Sequence, residues 1–332
     1  MASPLLKVED LTVRFPSADP VNRLSFELGE GETLAIVGES GSGKSLTALA
    51  LMQLLPPSAR IAGGRVQFAG RDLIGLDAPE MRKLRGRDIA MIFQEPMTSL
   101  NPVLSVGRQI TEMLTLHEGI RGSAARRRAV ELLSLVRIPD PQRRVDDYPH
   151  QLSGGMRQRV MIAIAVACRP RLLIADEPTT ALDVTIQAQV LDLLDSLRRE
   201  LSMALVLITH DVGIVAQWAD KVIVMYAGRK VEQALPDALF STPLHPYTRG
   251  LLAASPRLKS DLHYRESRLI EIPGSSVSAT GERGCPFRPR CAIARDSCAH
   301  FSPNLIDVGD GRLVACPYTF GPEVAHDAAV RL

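Results

Sequence analysis

A glycine-rich loop, GESGSGKS at Gly38–Ser45, constrains the fold of this chain more than any other feature of its sequence. It follows an apolar stretch, Thr33–Val37, that predicts a buried β-strand, and it precedes a helical pattern over Leu46–Leu55. The glycines let consecutive backbone N–H groups turn towards one anion, and the following helix adds the positive end of its dipole. The order strand, loop, helix therefore predicts a phosphate-binding loop in an α/β domain.

The residues of this loop have different expected tasks. The Lys44 ammonium is expected to reach the β- and γ-phosphates of a nucleotide, and the Ser45 hydroxyl is expected to bind Mg²⁺. The rest of the loop would surround the phosphates, which adds to the predicted site Gly38, Glu39, Ser40, Gly41, Ser42 and Gly43.

The length and composition limit the classes of protein that fit. A chain of 332 residues suggests two domains, or one large domain with an extension. A net charge of +2 argues against the basic field of a nucleic-acid binder, so no nucleic-acid partner is expected. The chain opens without the pattern of a secretory signal, and its longest apolar run, Met161–Cys168, is too short to cross a bilayer. We expect a cytosolic protein that reaches a membrane through a partner.

Strand and helix patterns alternate in the second half of the chain. After a helical stretch over about 105–168, the predicted order is strand Leu172–Ala175, helix Ile186–Glu200, strand Ala204–Thr209, helix Val212–Trp218 and strand Lys221–Met225. This alternation predicts an α/β core with a mostly parallel sheet, interrupted by a helical insertion. After about residue 240 the pattern changes, and 255–284 is rich in Pro, Ser, Gly and charge, as expected for a linker.

Two carboxylates follow the apolar strand LLIA. Asp176 lies where a strand should end, so it is placed to hold Mg²⁺ directly or through water. Glu177 could face the γ-phosphate and polarise the attacking water. Acidic pairs after strands are also common as solvated turns, and the phosphate-binding loop is what favours the catalytic interpretation.

A second anion-binding pattern, LSGGM, lies at Leu152–Met156. Ser153 followed by Gly154 and Gly155 before a helix offers a capping hydroxyl, free N–H groups and a helix dipole. Two phosphate-binding elements in one chain resemble the ATP-binding cassette (ABC) ATPase family, whose signature is LSGGQ; methionine replaces the final glutamine here.

The resemblance covers roughly residues 5–240 and implies roles for further residues. Phe15 would stack on adenine, Gln94 would sense Mg²⁺ and water and face the membrane partner, and Asp183 would lie in a loop crossing between subunits. His210 would contact the γ-phosphate, although a histidine after a strand can also be a core residue. The catalytic residues so implied are Glu177, His210 and Gln94, with Ser45, Gln94 and Asp176 around Mg²⁺.

The family resemblance also implies an assembly and a domain plan. ATP would be sandwiched in a head-to-tail ATPase dimer, with the phosphate-binding loop of one subunit facing Ser153 and Gly155 of the other. Residues 1–240 would form the ABC ATPase domain, including an antiparallel β subdomain and a helical subdomain at about 95–170. Residues 241–332 would form a small cysteine-rich extension.

A finer resemblance lies in two segments, MIFQEPMTSLNPVLSVGRQI and TPLHPYTRGLLAASP. Both are similar to ATPase subunits of bacterial oligopeptide/dipeptide importers. This implies ATP hydrolysis that powers peptide import at the cytoplasmic face of the inner membrane. The implied partners are a second, related ATPase subunit, two permease subunits and an extracytoplasmic peptide-binding protein. An importer of nickel or another small solute, and a soluble ABC ATPase, remain as alternatives.

Four cysteines near the end of the chain form a separate pattern, Cys285-x5-Cys291-x6-Cys298-x17-Cys316. In a reducing cytosol such clusters are more often metal ligands or redox groups than disulfides. The spacing lacks the C-x2-C pairs of common zinc ribbons, and it leaves zinc and an iron–sulfur cluster both open. The resemblance to peptide-importer ATPases implies a [4Fe–4S] cluster, structural or redox-sensing. Cys168 stands apart and is expected to be a small buried residue.

Overall fold

The computed structural model describes residues 3–94, 99–180, 182–254, 272, 274, 284–300 and 304–319. The strands are β1 Leu6–Phe15, β2 Ala18–Leu28, β3 Thr33–Val37, β4 Arg60–Phe68, β5 Arg71–Asp72, β6 Ile89–Ile92, β7 Leu172–Asp176, β8 Ala204–Thr209, β9 Lys221–Tyr226, β10 Arg229–Ala234, β11 Ile306–Asp307 and β12 Leu313–Val314. The helices are α1 Lys44–Leu51, α2 Ala78–Leu84, α3 Val106–Glu118, α4 Gly122–Leu135, α5 Pro141–Arg144, α6 Gly154–Val166, α7 Val184–Leu201, α8 Val212–Trp218, α9 Pro236–Ser241 and α10 Pro246–Ala253. Residues 95–98, the letters EPMT in the first of the two segments that resemble importer ATPases, lie outside the described residues. Most of the predicted linker at 255–284 also lies outside them.

The helix after the phosphate-binding loop is shorter than its sequence pattern predicts. It ends at Leu51 rather than Leu55, because Met52 caps it and Gln53 has the left-handed φ of 50°. Pro56 and Pro57 follow, and proline cannot continue a helix without losing a backbone hydrogen bond. The apolar residues beyond Leu51 therefore belong to the turn that leads into β4.

The chain divides into two compact units. The first, here called the loop unit, comprises Leu6–Glu27, Thr33–Asp72 and Thr209–Leu332. The second, here called the helical unit, comprises Met1–Leu5, Leu28–Glu32 and Leu73–Ile208. The phosphate-binding loop and the four cysteines of the extension at 241–332, here called the tail, therefore fall in the same unit, although they lie at opposite ends of the sequence.

The loop unit contains two sheets. One has the strand order β2-β1-β4-β5, with β4 antiparallel to β1 and β5, and it provides the predicted antiparallel β subdomain. In the other, β3 pairs in parallel with β9, and the antiparallel strands β10, β12 and β11 follow in that order. Residues beyond 240 thus extend the sheet that carries the phosphate-binding loop.

An apolar cluster fills the core of this unit beside β9 and β10. The largest side chains in it are Tyr226, Tyr247 and Phe287. Their ring centroids lie 4.7 Å apart for the two tyrosines, and 5.2 and 5.4 Å from Phe287 to Tyr226 and Tyr247. Aromatic pairs at such separations contribute about 0.5–1.5 kcal/mol each beyond their buried area. This cluster attaches the segment that carries the cysteines to the sheet.

The helical unit is built on three parallel strands, β6, β7 and β8. Each residue of β7 is buried, as expected for a parallel strand that is covered on both faces. Helix α3 buries Val106, Ile110 and Leu114, which share one face at a spacing of four residues, and α3 packs against α4. Among the residues that the structure describes, no helix has the length and apolarity needed to span a membrane.

Candidate functional site

The predicted phosphate-binding loop lies between β3 and α1. Gly43 precedes the helix with φ 98°, a conformation that favours glycine. A Cβ atom at Gly43 would lie 2.2 Å from the Pro20 carbonyl oxygen, and one at Gly38 would lie 2.3 Å from the Met225 carbonyl oxygen. Both positions therefore exclude side chains because backbone from elsewhere in the loop unit approaches closely.

Lys44 is almost fully buried at the first position of α1, with 4% of its surface exposed. Its Nζ donates to the carbonyl oxygens of Gly38 at 2.8 Å and Glu39 at 3.0 Å. These bonds hold the ammonium group across the loop, whose residues were predicted to surround phosphates. Ser45 follows in the same helical turn, so its hydroxyl is at the same end of α1.

Two residues that sequence reasoning missed contact this loop. The Tyr247 hydroxyl accepts the Glu39 backbone N–H at 2.9 Å, and the Arg290 guanidinium binds the Glu39 carboxylate through two nitrogens. Tyr247 belongs to the HPYT segment, which indicates the family but does not predict that this tyrosine contacts Glu39. Arg290 lies 251 positions from Glu39, and no local pattern predicts such a pair.

In the helical unit, Asp176 and Glu177 follow each other at the end of β7. Asp176 is the last residue of the strand and is 4% exposed. Glu177 has φ 46°, which is uncommon for a residue with a side chain, and its N–H donates to the Ile208 carbonyl oxygen at 2.9 Å. The turn separates the two carboxylates into different environments.

The structure brings Gln94 and Glu177 together. Gln94 Nε2 donates to Glu177 Oε2 at 3.0 Å, and Thr180 Oγ1 donates to the same oxygen at 2.9 Å. One carboxylate oxygen thus has two side-chain donors, which fixes the direction of the Glu177 side chain. Thr180 was not predicted, because a hydroxyl three residues after a glutamate has no distinctive signal.

The two other predicted segments of this unit both begin helices. Ser153 is the N-cap of α6, and its Oγ accepts the Met156 N–H at 3.3 Å, which confirms the expected cap. A Cβ atom at Gly155 would lie 3.1 Å from Ile186 Cγ2, so the second glycine of the motif keeps α6 close to α7. Asp183 caps α7 by accepting the Ile186 N–H at 3.0 Å.

Phe15 and His210 are placed at the ends of strands. Phe15 is the last residue of β1 and is half-buried, and His210 directly follows β8 and is exposed. Asp211 then caps α8, where its carboxylate accepts the Gly213 N–H at 3.0 Å. Their expected roles towards adenine and the γ-phosphate stay predictions.

The four cysteines of the tail converge in the loop unit. The Cys285 N–H donates to the Cys298 carbonyl oxygen at 2.8 Å. Burial, with a smaller contribution from the nearby thiols of Cys285, Cys291 and Cys298, raises the pKa of the Cys316 thiol to about 11. In the described ranges, no three side chains of His, Cys, Asp or Glu are arranged to hold a single metal ion.

Cys168 has a different environment, at the end of α6. It is buried, and its Sγ contacts the Met113 carbonyl oxygen at 3.7 Å. Burial raises the pKa of this thiol to about 11, which makes it unreactive near neutral pH. The expectation of a small buried residue is confirmed.

Known proteins resemble this chain over most of its length. The ABC transporter family model matches residues 21–180, and the model of the oligopeptide/dipeptide transporter C-terminal region matches residues 231–298. The oligopeptide transport ATP-binding protein OppD of Salmonella typhimurium is 51% identical over 95% of this chain and 94% of its own length. The dipeptide transport ATP-binding protein DppD of Escherichia coli is 50% identical over 95% of this chain and 96% of its own.

Solved structures share the fold. The ATP-binding cassette MJ0796, in a dimeric post-hydrolysis state bound to ADP and phosphate, has a TM-score of 0.62 and 28% identity, over 70% of this chain and 98% of that one. CbiO1 of Clostridium perfringens, part of the ABC transporter complex CbiONQ, has a TM-score of 0.63 and 27% identity, over 73% of this chain and 92% of that one. From the matched families and the relatives near 50% identity, the chain belongs to the ATP-binding proteins of ABC transporters, in the oligopeptide/dipeptide transporter family.

Proposed function

We propose that this chain hydrolyses ATP to power the import of di- or oligopeptides through a separate membrane permease. The observation that supports hydrolysis most directly is the position of the Glu177 carboxylate. Gln94 and Thr180 donate to it, and it follows the buried Asp176 in the sequence. The peptide cargo is supported by relatives near 50% identity whose names state oligopeptide and dipeptide transport. It is also supported by the match of residues 231–298 to the peptide-transporter C-terminal region.

The loop unit would hold the nucleotide. Backbone N–H groups of the loop, such as those of Gly41 and Gly43, would bind phosphate oxygens, and Lys44 would exchange its bonds to loop carbonyls for bonds to the β- and γ-phosphates. Phe15 would stack on the adenine ring, and His210 would contact the γ-phosphate.

The residues proposed for Mg²⁺ offer oxygen atoms, which Mg²⁺ prefers. Ser45 offers a hydroxyl, Gln94 an amide oxygen, and Asp176 a carboxylate that is buried at the end of β7. This donor set fits the ion. When bound, Mg²⁺ neutralises part of the charge on the β- and γ-phosphates during transfer to water.

Glu177 would orient and polarise the attacking water. Its Oε2 is occupied by Gln94 and Thr180, so the carboxylate has one fixed direction, and Oε1 would accept a proton of the water. Ser153, Gly154 and Gly155 would form the second phosphate-binding element at the start of α6. We infer that this element acts on ATP bound by another ATPase subunit, with Asp183 in the crossing loop.

The partners follow from this proposal. The chain would lie at the cytoplasmic face of the bacterial inner membrane and act with two permease subunits, a second related ATPase subunit and an extracytoplasmic peptide-binding protein. The region around Gln94 and the helices of the helical unit would contact the permease. Transport of nickel or another small solute is the alternative that a substrate assay distinguishes.

The four cysteines would hold a [4Fe–4S] cluster. The thiols of Cys285, Cys291 and Cys298 are close enough to raise the pKa of Cys316. Four cysteine thiols that lose their protons on binding iron are the ligand set that such clusters use. The cluster would fix the short segments of the tail, which have little apolar surface of their own. A single zinc ion, the alternative that the spacing left open, is less supported, because no three side chains of His, Cys, Asp or Glu in the described part of the chain are arranged to hold one ion.

The assigned role of Glu177 is tested by Glu177→Gln. This variant of the full chain should bind MgATP with the wild-type affinity, because the side chain keeps its size and hydrogen-bonding capacity. Its ATP turnover should fall by about 10²–10⁴-fold, the usual contribution of a general base. Glu200→Gln, on an exposed position of α7, is the matched control and should keep wild-type turnover. Near-normal turnover in Glu177→Gln would refute the proposal.

A further inference from the structure

An acidic residue occupies the second position of the phosphate-binding loop. Glu39 follows Gly38, so its carboxylate is a fixed negative charge in a loop proposed to bind a polyphosphate. Like charges repel, and the repulsion is larger where water is partly excluded than in bulk solvent. A carboxylate at this position opposes nucleotide binding unless a cation compensates its charge.

The Arg290 guanidinium provides that compensation. Its Nη1 donates to Glu39 Oε2 at 2.9 Å and its Nη2 donates to Glu39 Oε1 at 3.0 Å, so the pair is bidentate. The Arg290 side chain is only 6% exposed and that of Glu39 26%. Salt therefore screens this pair less than an ion pair on the open surface, and the planar fork fixes the carboxylate in one orientation.

Contacts other than Glu39 hold Arg290 in place. Nη2 also donates to the Ile272 carbonyl oxygen at 3.1 Å, and the guanidinium carbon lies 5.6 Å from the centre of the Tyr226 ring. Arg290 ends a short turn that follows Phe287, and the Phe287 ring packs against Tyr226 and Tyr247. The cation is therefore fixed by the fold of the tail before any nucleotide binds.

The backbone of the loop is held by the same part of the unit. The hydroxyl of Tyr247, a fully buried residue of α10, accepts the Glu39 N–H at 2.9 Å. Gly228, in the turn between β9 and β10, donates its N–H to the Ser42 carbonyl oxygen at 3.1 Å. The tail thus binds both the side chain and the main chain of Glu39.

We propose that Arg290 is a positioning residue for ATP binding: it neutralises and orients Glu39, so that the loop presents a net positive surface to the triphosphate. Tyr247 supports the same residue through its backbone. The inference rests on the proposed function, because it requires that the loop binds ATP. It makes the segment between Cys285 and Cys291, which carries Arg290, part of the nucleotide site.

The test is equilibrium binding of MgATP to the full chain. Arg290→Ala leaves the Glu39 charge uncompensated and should raise the Kd about tenfold. Glu39→Gln leaves Arg290 as an uncompensated cation beside the loop and should bind MgATP more tightly than wild type, and the double variant Arg290→Ala/Glu39→Gln, which carries neither charge, should recover to within about twofold of the wild-type Kd. Arg288→Ala removes an exposed arginine from the same turn and is the matched control, with wild-type affinity expected.

Recovery in the double variant separates charge compensation from a structural role. If Arg290 only supported the fold of the tail, removing a charge from Glu39 would not restore binding, and a double variant as weak as Arg290→Ala would overturn the proposal. Equal affinities for Arg290→Ala and Arg288→Ala would also overturn it. In ATP turnover, Arg290→Ala should raise KM about tenfold while kcat stays within about twofold of wild type.

If Arg290→Ala unfolds at a lower temperature than wild type, Arg290→Gln replaces it in the test, because glutamine keeps much of the volume of the side chain. The order of the Kd values among wild type, the single variants and the double variant should then be the same. If the wild-type chain itself does not bind MgATP, the proposed function fails, and this outcome is distinct from a failure of the arginine assignment.

Discussion

Glu177 and His245 are the residues whose chemistry depends most visibly on their immediate surroundings. The Glu177 backbone has φ 46°, and such a conformation costs on the order of 1 kcal/mol for a residue with a side chain. Its carboxylate in turn accepts from Gln94 and Thr180. Strain in the main chain and two donors on the side chain together fix one direction for the carboxylate, which general-base catalysis requires.

His245 predicts a pH dependence of stability. Burial, followed by the charge of Arg249, lowers the pKa of this N-cap histidine from 6.5 to about 3, while the neighbouring Glu232 carboxylate accepts the His245 backbone N–H. Between these pKa values the unfolded chain binds more protons than the folded chain. The free energy of unfolding should therefore fall as the pH falls, by about 2 kcal/mol between pH 7.5 and 5.

The measurement is chemical denaturation of the full chain at several pH values. His245→Asn keeps an N-cap side chain at α10 but removes the titrating group, so its free energy of unfolding should fall less over the same range. His150→Asn changes an exposed histidine and is the matched control. A His245→Asn variant with the same pH dependence as wild type would contradict the prediction.

Short elements, rather than long helices, carry the cysteines of the tail. Three-residue and four-residue 3₁₀ turns at Arg288–Arg290 and Asp296–Ala299 lie between Cys285 and the strands β11 and β12. Elements of this length bury little apolar surface and are marginal without a covalent or metal link. Phe287 in the aromatic cluster provides one apolar link to the sheet, and the pairing of β12 with β10 provides a backbone link.

The cluster proposal predicts the metal content of the tail. The anaerobically purified full chain should contain about four iron atoms and about four acid-labile sulfides per chain. Cys316→Ser should lose most of this content, whereas Cys168→Ala, at the buried cysteine outside the tail, should keep it. Zinc without iron or sulfide in the wild-type chain would show that the cluster assignment is wrong.

At the scale of the whole molecule, local patterns predicted the segments whose chemistry is local. The order β3, loop, α1 follows from apolar runs and glycines in one stretch, and α8 begins and ends where its pattern indicated, at Val212 and Trp218. The helix caps at Ser153 and Asp183 can also be predicted from local sequence, because a capping side chain and its N–H partner are only three residues apart.

Partners that are distant in the sequence explain what the patterns missed. Strand β10, RKVEQA, contains three charged residues, yet Lys230 and Glu232 are both buried. Lys230 donates to the Ser25 carbonyl oxygen, and Glu232 accepts the N–H groups of Leu244 and His245. The Arg290–Glu39 pair was missed for the same reason, since its members meet only when the tail folds onto the sheet.

Peptide uptake into sealed vesicles tests the central claim most directly. The vesicles would contain this chain with its permease pair and related ATPase, enclosed MgATP, and the peptide-binding protein with labelled peptide outside. The account predicts uptake that requires enclosed MgATP and falls at least about tenfold when this chain carries Glu177→Gln. Uptake that is unchanged by Glu177→Gln, or ATP hydrolysis that does not respond to peptide, would contradict it.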